Sequence, residues 1–403
     1  MNGALMSINY NDLFHHLENL KIVVLGIDYT RPGSDFFQSL TDGHPEIIQT
    51  TGTCLYRYHG FWGSAVSKDN VQDLVEEFIY FPYHMPLFDS RFRVTERWNK
   101  LGVNKNEHFE VDIPLFRQHA LGFMEGKEVN FRNFFLAVHG AYALTLGQNI
   151  KNAKIIFYHI HHIKNWERYM PDFPNFKIII MTRDLRDGLV SYIEHRKPGS
   201  ASYCRPDSHI APLSTYSSIF YYVKKYDDVI FLSLRDLHHE PSKILSCFCK
   251  DVNIQFLPEI LLESSYHGKL WWGDIMSPKF INGFNPEFGK INRWKGKLSQ
   301  IDNLIIEFLY HNQFMAFNHP RKHGNLLYYV MYLLAPIVIF KPMRYEMKFF
   351  FYQVRRRDMS PTRKIKFCLF ALLNYLVRIK IYLVVYFRKI TLQKIKITKY
   401  GDC

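Results

Sequence analysis

The sequence is poor in cysteine, and its few cysteines are not spaced for a shared structural role. Six are scattered over 403 residues, and no Cys-x-x-Cys pair occurs. This scatter argues against a disulfide framework and favours a reducing compartment. A secretory signal peptide is also lacking, because residues 1–20 mix short apolar pieces with polar and acidic residues. We therefore expect the protein to be cytoplasmic.

The sequence lacks the lysine motif of ATP- and GTP-binding loops. An apolar run over residues 22–27 predicts a strand buried on both faces, and a turn containing Pro32 and Gly33 follows it. A helix is predicted to open at Ser34. No Gly-Lys-Ser or Gly-Lys-Thr ends this loop. A nucleotide-dependent kinase or ATPase is therefore disfavoured.

The same loop has the composition of an anion-binding site. The first N–H groups of a helix lack partners within the helix, and the helix dipole favours negative charge there. Arg31 adds a fixed positive charge that can donate two hydrogen bonds to a phosphate or sulfate. The alternative is an ordinary connection between a strand and a helix, and the loop alone does not decide between the two.

Acidic residues are nearly absent from the last fifth of the chain. Residues 321–403 hold 18 of the 51 Lys and Arg but only 3 of the 37 Asp and Glu, so the body before them is close to neutral. A charge excess confined to one end indicates an appended surface-binding segment, not a nucleic-acid-binding domain.

Long apolar runs without charge are missing from this basic segment. Residues 326–340 are apolar but too few for a membrane span, which needs about 20 residues. Residues 367–387 are long enough, but Arg378 and Lys380 lie at their centre. We expect helices that lie on an anionic membrane surface at the inner face of a membrane. The alternative is a helical subdomain that packs on the body.

Strands and helices alternate through the body of the chain. After the first strand, further strands and helices are predicted, with a final helix whose N-cap is Ser299. The predicted strands cover residues 154–162, 177–182 and 229–234; the predicted helices cover 11–20, 71–80, 130–146, 165–170, 184–195, 214–226, 241–250 and 299–311. This alternation predicts an α/β fold with a central parallel sheet flanked by helices. We expect an α/β domain over residues 1–320, with a helical insertion at about 50–150 on the acceptor side, and a basic amphipathic tail over 321–403.

A second anion-binding element is predicted at the end of the strand over 177–182. Arg183 follows that strand directly, at the edge of the sheet where open α/β sheets bind ligands. Ser191 lies two helical turns further on, on the face of the helix that begins near Arg183. With the Arg31 loop, these residues provide two anion sites on neighbouring strands. Such a pair suits a ligand with phosphates at both ends.

Three segments resemble the donor-binding motifs of the PAPS-dependent sulfotransferases, whose donor is 3′-phosphoadenosine 5′-phosphosulfate. The residues concerned are Arg31, Pro32, Gly33, Ser34, Asp35 and Phe36, then Arg183 through Ser191, then Gly289, Lys290, Arg293 and Trp294. The first group resembles the 5′-phosphosulfate loop, the second the 3′-phosphate motif, and the third the Gly-x-x-Gly-x-Trp segment that closes over the nucleotide. The resemblance covers roughly residues 20–315. It implies the P-loop-type sulfotransferase fold and PAPS as donor, without a metal.

The sequence departs from the family pattern at several motif positions. Asp35 stands where the family has a phosphate-binding threonine, Pro32 replaces a small residue and Leu185 replaces a proline. A carboxylate within an anion-binding loop repels phosphate, so we expect Asp35 to point away from the donor. Glu287 and Phe288 replace the basic pair that some members carry before the late glycine.

A general base is predicted among the histidines at the end of the predicted strand over residues 154–162. Some family members use a histidine about 22 residues before the motif arginine, and that position is His161. Strand alternation places His159 on the same face, so it is the second candidate. Glu46 is a distant third. His159 and His161 have the spacing of metal ligands but no evident acidic or cysteine partner, so no metal is expected.

These observations predict transfer of a sulfuryl group from PAPS to a hydroxyl of a glycan or a glycolipid. The catalytic residues would be Arg31 and one of His161 and His159. The expected partners are PAPS or its product adenosine 3′,5′-bisphosphate, the acceptor, and an anionic membrane surface, with no nucleic acid. A non-catalytic nucleotide- or phosphoglycan-binding protein of the same fold is the alternative.

Overall fold

Five parallel strands form the centre of the molecule, as described by a computed structural model. The structure describes residues 8–27, 32–52, 54–160, 163, 166–195, 213, 219–275, 280–285, 287, 292–391 and 398–400. The strands are β1 (Lys21–Ile27), β2 (Ile47–Gln49), β3 (Ile155–His159), β4 (Phe176–Thr182) and β5 (Val229–Ser233). Their order in the sheet is β2-β3-β1-β4-β5, and every neighbouring pair is parallel. A separate antiparallel pair consists of β6 (Ser265–Tyr266) and β7 (Lys269–Leu270).

Helices cover both faces of the sheet and fill the connections. In the part of the chain before residue 200 they are α1 (Tyr10–Asn19), α2 (Ser34–Ser39), α3 (Tyr58–Ser64), α4 (Val71–Ile79), α5 (Met85–Phe88), α6 (Ile113–Met124), α7 (Phe131–Thr145) and α8 (Leu185–His195). After it they are α9 (Ile219–Lys225), α10 (Leu234–His239), α11 (Pro241–Val252), α12 (Pro258–Leu261), α13 (Gln300–Leu309), α14 (His311–Ala316), α15 (Asn325–Val338), α16 (Arg344–Arg355) and α17 (Pro361–Thr391). Short 3-10 turns cover Cys54–Arg57, Ser90–Phe92, Val94–Glu96, Ile150–Asn152 and Met170–Asp172.

Alternate residues of the strands feed two separate apolar cores. In β1, Ile22 and Val24 join the larger core, which also contains residues of α1, α6, α7 and α13. Val23 and Leu25 join the second core, where Phe37 at the end of α2 and residues of α11 pack. Because both faces are covered, the strands are mainly apolar, as parallel strands usually are. The predicted parallel α/β class is confirmed.

The chain returns to the sheet near its end. The backbone N–H of Phe231 in β5 donates to the Thr398 carbonyl at 2.9 Å, and the N–H of Tyr400 donates to the Phe231 carbonyl at 2.9 Å. Tyr400 is buried, and its hydroxyl donates to Asp251 at 2.6 Å. The basic tail is therefore attached to the body at both of its ends.

The predicted elements and the observed ones differ at two places and agree at the cap of α13. Strand β2 was not predicted; it has only three residues, too few to carry a periodic signal. The helix predicted over 165–170 is wrong, because residues 166–169 form turns that lead into the 3-10 segment Met170–Asp172. The predicted N-cap of α13 is confirmed: the Ser299 side chain accepts from the Asp302 N–H, and the Asp302 carboxylate accepts in return.

Candidate functional site

The two predicted anion-binding elements follow strands that are neighbours in the sheet. Strands β1 and β4 pair along six positions, and Ile27 lies opposite Met181 at their carboxyl ends. The loop after β1 and the residues after β4 therefore start side by side at one edge of the sheet. Of the first loop, residues 28–31 lie outside the described residues, so the prediction for Arg31 stays a prediction. The description resumes at Pro32, which is buried.

Gly33 is required by the backbone at the start of α2. Its φ of 88° and ψ of 29° place it in the left-handed region, which residues other than glycine adopt at a cost. A Cβ atom on Gly33 would also lie only 2.5 Å from Cδ1 of Leu234 in α10. The first helical hydrogen bond runs from the Phe37 N–H to the Gly33 carbonyl at 3.0 Å. The turn that opens α2 thus packs directly against the turn that follows β5.

Arg183 provides a buried positive charge at the carboxyl end of β4. Only 8% of its surface is exposed. Burial lowers the pKa of His238 to about 4, and the nearby Arg183 charge contributes to that shift. The same charge partly offsets the raised pKa of Asp187. Arg183 therefore lies near His238 of α10 and Asp187 of α8, and its part in a ligand site stays a prediction.

His238 joins the two anion-binding elements through an aromatic cluster. Its ring stacks on Phe36 of α2 with centroids 4.7 Å apart and an angle of 10° between the planes. Phe284 packs edge-on against Phe36 at 5.4 Å. The Asn285 N–H donates to Nδ1 of His238 at 3.2 Å, which assigns the ring proton to Nε2 in the neutral form. At neutral pH this histidine is an uncharged donor beside Arg183.

Helix α8 places Ser191 one turn beyond Asp187. Residues at i and i+4 share a helix face and are about 6 Å apart along the axis. Ser191 is buried, like Arg183. Asp187 accepts a hydrogen bond from the Trp294 N–H at 3.2 Å, so the late motif segment docks on this helix. Burial, together with the neighbouring Asp184 carboxylate, raises the pKa of Asp187 to about 6.

Arg186 has a structural role near the site. Its guanidinium donates to Asp184 at 2.6 Å and to Glu307 in α13, and it also donates to the Pro320 carbonyl. It lies over the Trp294 ring, with its central carbon 4.2 Å from the ring centroid. Fully buried and neutralised by two carboxylates, Arg186 fixes α8 and the Trp294 segment in position instead of facing a ligand.

His159 lies at the end of β3 against α2. Its Nδ1 is 2.8 Å from Oε1 of Gln38, and the Gln38 amide nitrogen donates to the Thr50 carbonyl at 2.8 Å. Since the amide oxygen can only accept, Nδ1 carries the proton, and Nε2 carries the lone pair. The Asp35 carboxylate lies 3.9 Å from Nδ1 of His159. Asp35 thus points toward the end of β3.

The remaining predicted site residues fall into two groups. His161, Gly289 and Lys290 lie outside the described residues, and Arg293 is half-buried beside Trp294. Glu46 is held in an ion pair with Lys154 at 2.6 Å and accepts from the Gln255 N–H at 2.6 Å. Burial alone would raise the pKa of Glu46, but these two partners lower it below its usual range, which suits a structural carboxylate and not a base. Among the described residues, no three His, Cys, Asp or Glu side chains cluster as metal ligands would.

Sequence reasoning missed His238, Gln38 and Asn285. Phe36 and His238 are about half the chain apart, and a stacking pair at that separation leaves no local pattern. Gln38 could have been found, since it lies in the helix that the loop opens and one turn from Ser34. Its hydrogen bond to His159 depends on the pairing of β1 with β3, which the sequence does not specify.

Comparison with known proteins adds a fold-level likeness only. No protein-family model matches the chain, and no curated protein matches it in sequence. Among solved structures, the sulfotransferase domain from the curacin biosynthetic pathway is similar with a TM-score of 0.38 and 14% identity. That match covers 68% of this chain and 87% of the other. The functional argument therefore rests on the residues of the site.

Proposed function

We propose that this protein is a sulfotransferase that moves a sulfuryl group from PAPS to a hydroxyl of a glycan or a glycolipid. The observation that supports the proposal is that the two predicted anion-binding elements follow adjacent parallel strands. Gly33 to Phe36 follow β1, Arg183 follows β4, and His238 lies against both. A nucleotide with anionic groups at its 3′ and 5′ positions is the ligand that this spacing suits.

The residues of the site have distinct parts in the proposed reaction. PAPS supplies an activated sulfuryl group whose leaving group is a phosphate. Arg31 and the loop amides from Gly33 onward would stabilise the charge that develops on that leaving group. Arg183 and Ser191 would hold the 3′-phosphate, and this fixes the direction from which an acceptor can approach. The S–O bond to the phosphate breaks while a bond from sulfur to the acceptor oxygen forms.

A base must take the proton of the acceptor hydroxyl. His161 remains the first candidate by position, and His159 is the candidate for which the described residues supply an argument. With its proton fixed on Nδ1 by Gln38, His159 offers the lone pair of Nε2. The imidazolium formed on proton transfer would be stabilised by Asp35, which is 3.9 Å from Nδ1. The departure from the family pattern at Asp35 thereby gains a role.

A second candidate function is nucleotide or phosphoglycan binding without turnover. Two carboxylates favour it. Asp35 is part of the loop that would meet the phosphosulfate, and Asp187 lies within reach of the Arg183 charge. Both would weaken an anion site unless protonated or turned away. The two functions differ only in whether a sulfuryl group is transferred from the donor to an acceptor.

The test is transfer of labelled sulfate from PAPS into a glycan extract and a lipid extract. The proposal expects a labelled product that depends on the protein and disappears in the Arg183→Ala variant. Protein that binds adenosine 3′,5′-bisphosphate but labels neither extract would support the non-catalytic alternative. Identification of the labelled product would name the acceptor class, glycan or glycolipid.

A further inference from the structure

The three C-terminal helices present apolar side chains to solvent. In α15, Leu326, Leu333 and Ile337 are 81%, 80% and 72% exposed. They recur at the spacing of one helix face, as do the exposed Leu369, Leu372, Leu373 and Leu376 of α17. Soluble monomers rarely expose apolar stripes of this length without a partner. The stripes therefore indicate a surface that something apolar covers.

Polar contacts between these helices hold them together as a unit. Arg378 near the middle of α17 is buried and pairs with Glu346 of α16 at 2.7 Å. Its guanidinium also donates to the Ile339 and Lys341 carbonyls, at 3.0 and 3.1 Å. The Tyr386 hydroxyl donates to the Tyr332 carbonyl of α15 at 2.9 Å. The exposed apolar stripes thus belong to helices packed on one another and on α13.

A basic cavity opens along α16 and the residues that precede it. It has a volume of about 640 Å³, and its charged lining residues are Lys341, Arg344, Lys348 and Arg355. Among the described residues, no acidic side chain lines it, and the apolar part of the lining is Met347, Phe351, Tyr352 and Pro342. Four cations next to exposed aromatic rings are suited to phosphate groups that lie at the boundary of an apolar phase.

We propose that α15, α16 and α17 form a docking surface for an anionic lipid bilayer, with lipid phosphates in the basic cavity. The apolar stripes would enter the boundary between head groups and acyl chains, and the cavity would select anionic lipid. The charge balance of the segment supports this occupant, since residues 321–403 carry 18 basic and 3 acidic residues. The proposal does not depend on the proposed sulfotransfer.

The docked helices lie along the membrane instead of crossing it. Residues Pro361–Arg388 are long and apolar enough for a span by length and composition, and they form the one such helix in the described part of the chain. Spanning would carry Arg378 into the hydrocarbon and break its contacts with Glu346. The seven residue-to-residue steps from Thr391 to Thr398 reach at most about 25 Å, and Thr398 pairs with β5. The C-terminal end of α17 therefore stays close to the body.

The test is co-sedimentation of the full chain with vesicles of phosphatidylcholine alone or mixed with phosphatidylglycerol. We expect binding that is at least about tenfold stronger to the mixed vesicles, since four cations line the cavity and an anionic surface attracts each of them. Soluble glycerol 3-phosphate at the same phosphate concentration should not release the protein. Equal binding to both vesicle types, or binding to neither, would overturn the proposal.

Matched variants separate the two parts of the surface. Lys348→Glu with Arg355→Glu should remove the preference for anionic vesicles, and Leu333→Glu with Ile337→Glu should abolish binding to both types. Lys151→Glu with Lys250→Glu makes the same charge change on exposed body residues and should leave binding unchanged. Equal loss in all three variants would overturn the proposal, and thermal unfolding shows that each variant is folded.

Two further measurements address other occupants of the apolar surface. Alkaline carbonate should release the protein from vesicles, because a surface-bound protein has no segment across the bilayer. Resistance to carbonate would contradict the lying arrangement. Light scattering of the lipid-free protein should show a mass that Leu333→Glu with Ile337→Glu leaves unchanged. A dimer that this variant dissociates would show that a second copy covers the surface instead.

Discussion

At the scale of single residues, Asp35 and His159 decide what the loop after β1 can do. A carboxylate in an anion-binding loop opposes donor binding, yet here it lies 3.9 Å from Nδ1 of a histidine whose other nitrogen carries the lone pair. If His159 takes up a proton, its positive charge would offset the unfavourable effect of the Asp35 negative charge on donor binding. In the proposed reaction, Asp35 would therefore act with the base and not on the phosphate.

The Asp35→Asn variant tests this assignment. If Asp35 acts through His159, the turnover rate with saturating PAPS should fall about tenfold, which corresponds to about 1.4 kcal/mol. His159→Gln should cost about 10²- to 10⁴-fold, the usual contribution of a general base. In the double variant, Asp35→Asn should add no further loss. A full additional tenfold loss there would show that Asp35 acts independently of His159.

If the site binds adenosine 3′,5′-bisphosphate as proposed, Asp187 should make the affinity depend on pH. Burial raises its pKa to about 6, so the carboxyl is mostly neutral at pH 5 and mostly ionised at pH 7.5. The ionised form would repel the 3′-phosphate that Arg183 is proposed to bind. Wild-type affinity relative to Asp187→Asn should therefore fall as pH rises through 6. Titration calorimetry at the two pH values measures the ratio.

The asparagine variant also serves as the control for the ligand. The phosphate monoester itself titrates near pH 6, but that effect is common to both proteins and cancels in the ratio. His238 does not contribute, because burial lowers its pKa to about 4 and it stays neutral over this range. A ratio that is constant between pH 5 and pH 7.5 would show that Asp187 is remote from the phosphate.

At the scale of elements, the turn into α2 depends on Gly33. Gly33→Ala should lower the free energy of unfolding by about 1–3 kcal/mol, because a side chain at φ 88° is strained and its Cβ meets Leu234. Gly43→Ala is the matched control. Its φ is 72° with no atom near the added Cβ, so it reports the backbone cost alone. Chemical denaturation of both variants should show the larger loss for Gly33→Ala.

Leu234→Ala provides the second arm of that measurement. In the Leu234→Ala background, Gly33→Ala should lower the free energy of unfolding only by as much as Gly43→Ala does. The contact between the two turns is then already gone. An unchanged loss would show that the packing of α2 against α10 contributes nothing to the turn.

The C-terminal helices depend on the buried pair of Arg378 and Glu346. Arg378→Ala should destabilise the docked tail by about 3–5 kcal/mol, since the Glu346 carboxylate is left buried and unpaired. Lys380→Ala is the control on the same helix, because Lys380 is exposed. Limited proteolysis of the tail should accelerate in the first variant only. Equal proteolysis in both would contradict a docked arrangement.

At the scale of the whole molecule, the sequence predicts the sheet well and the site only in part. Strands β1, β4 and β5 are continuous apolar runs because both of their faces are buried, and such runs are visible in a sequence. Strand β2 is too short to be visible. The site residues that the sequence does not reveal, His238 and Asn285, reach the site only through packing between distant elements. Local patterns carry no information about such packing.

The structure of the tail could likewise be predicted from the sequence only in part. Its charge balance and its apolar runs predict helices at a membrane surface, and three helices are observed. The return of Thr398 and Tyr400 to β5 could not have been predicted, because a pairing of three residues with a distant strand has no local signal. That return makes the tail part of the molecule instead of a free extension.

The central claim is that the site binds a nucleotide by phosphates at both ends. The most direct measurement is thermal stabilisation of the protein by adenosine 3′,5′-bisphosphate compared with 5′-AMP and ATP. The bisphosphate should stabilise it most, and Arg183→Ala should weaken that binding by about 1.5–3 kcal/mol. Arg117→Ala, which removes an arginine paired with Glu76 in the insertion, should leave it unchanged. Stabilisation by ATP without stabilisation by the bisphosphate, or equal binding by Arg183→Ala, would contradict the account.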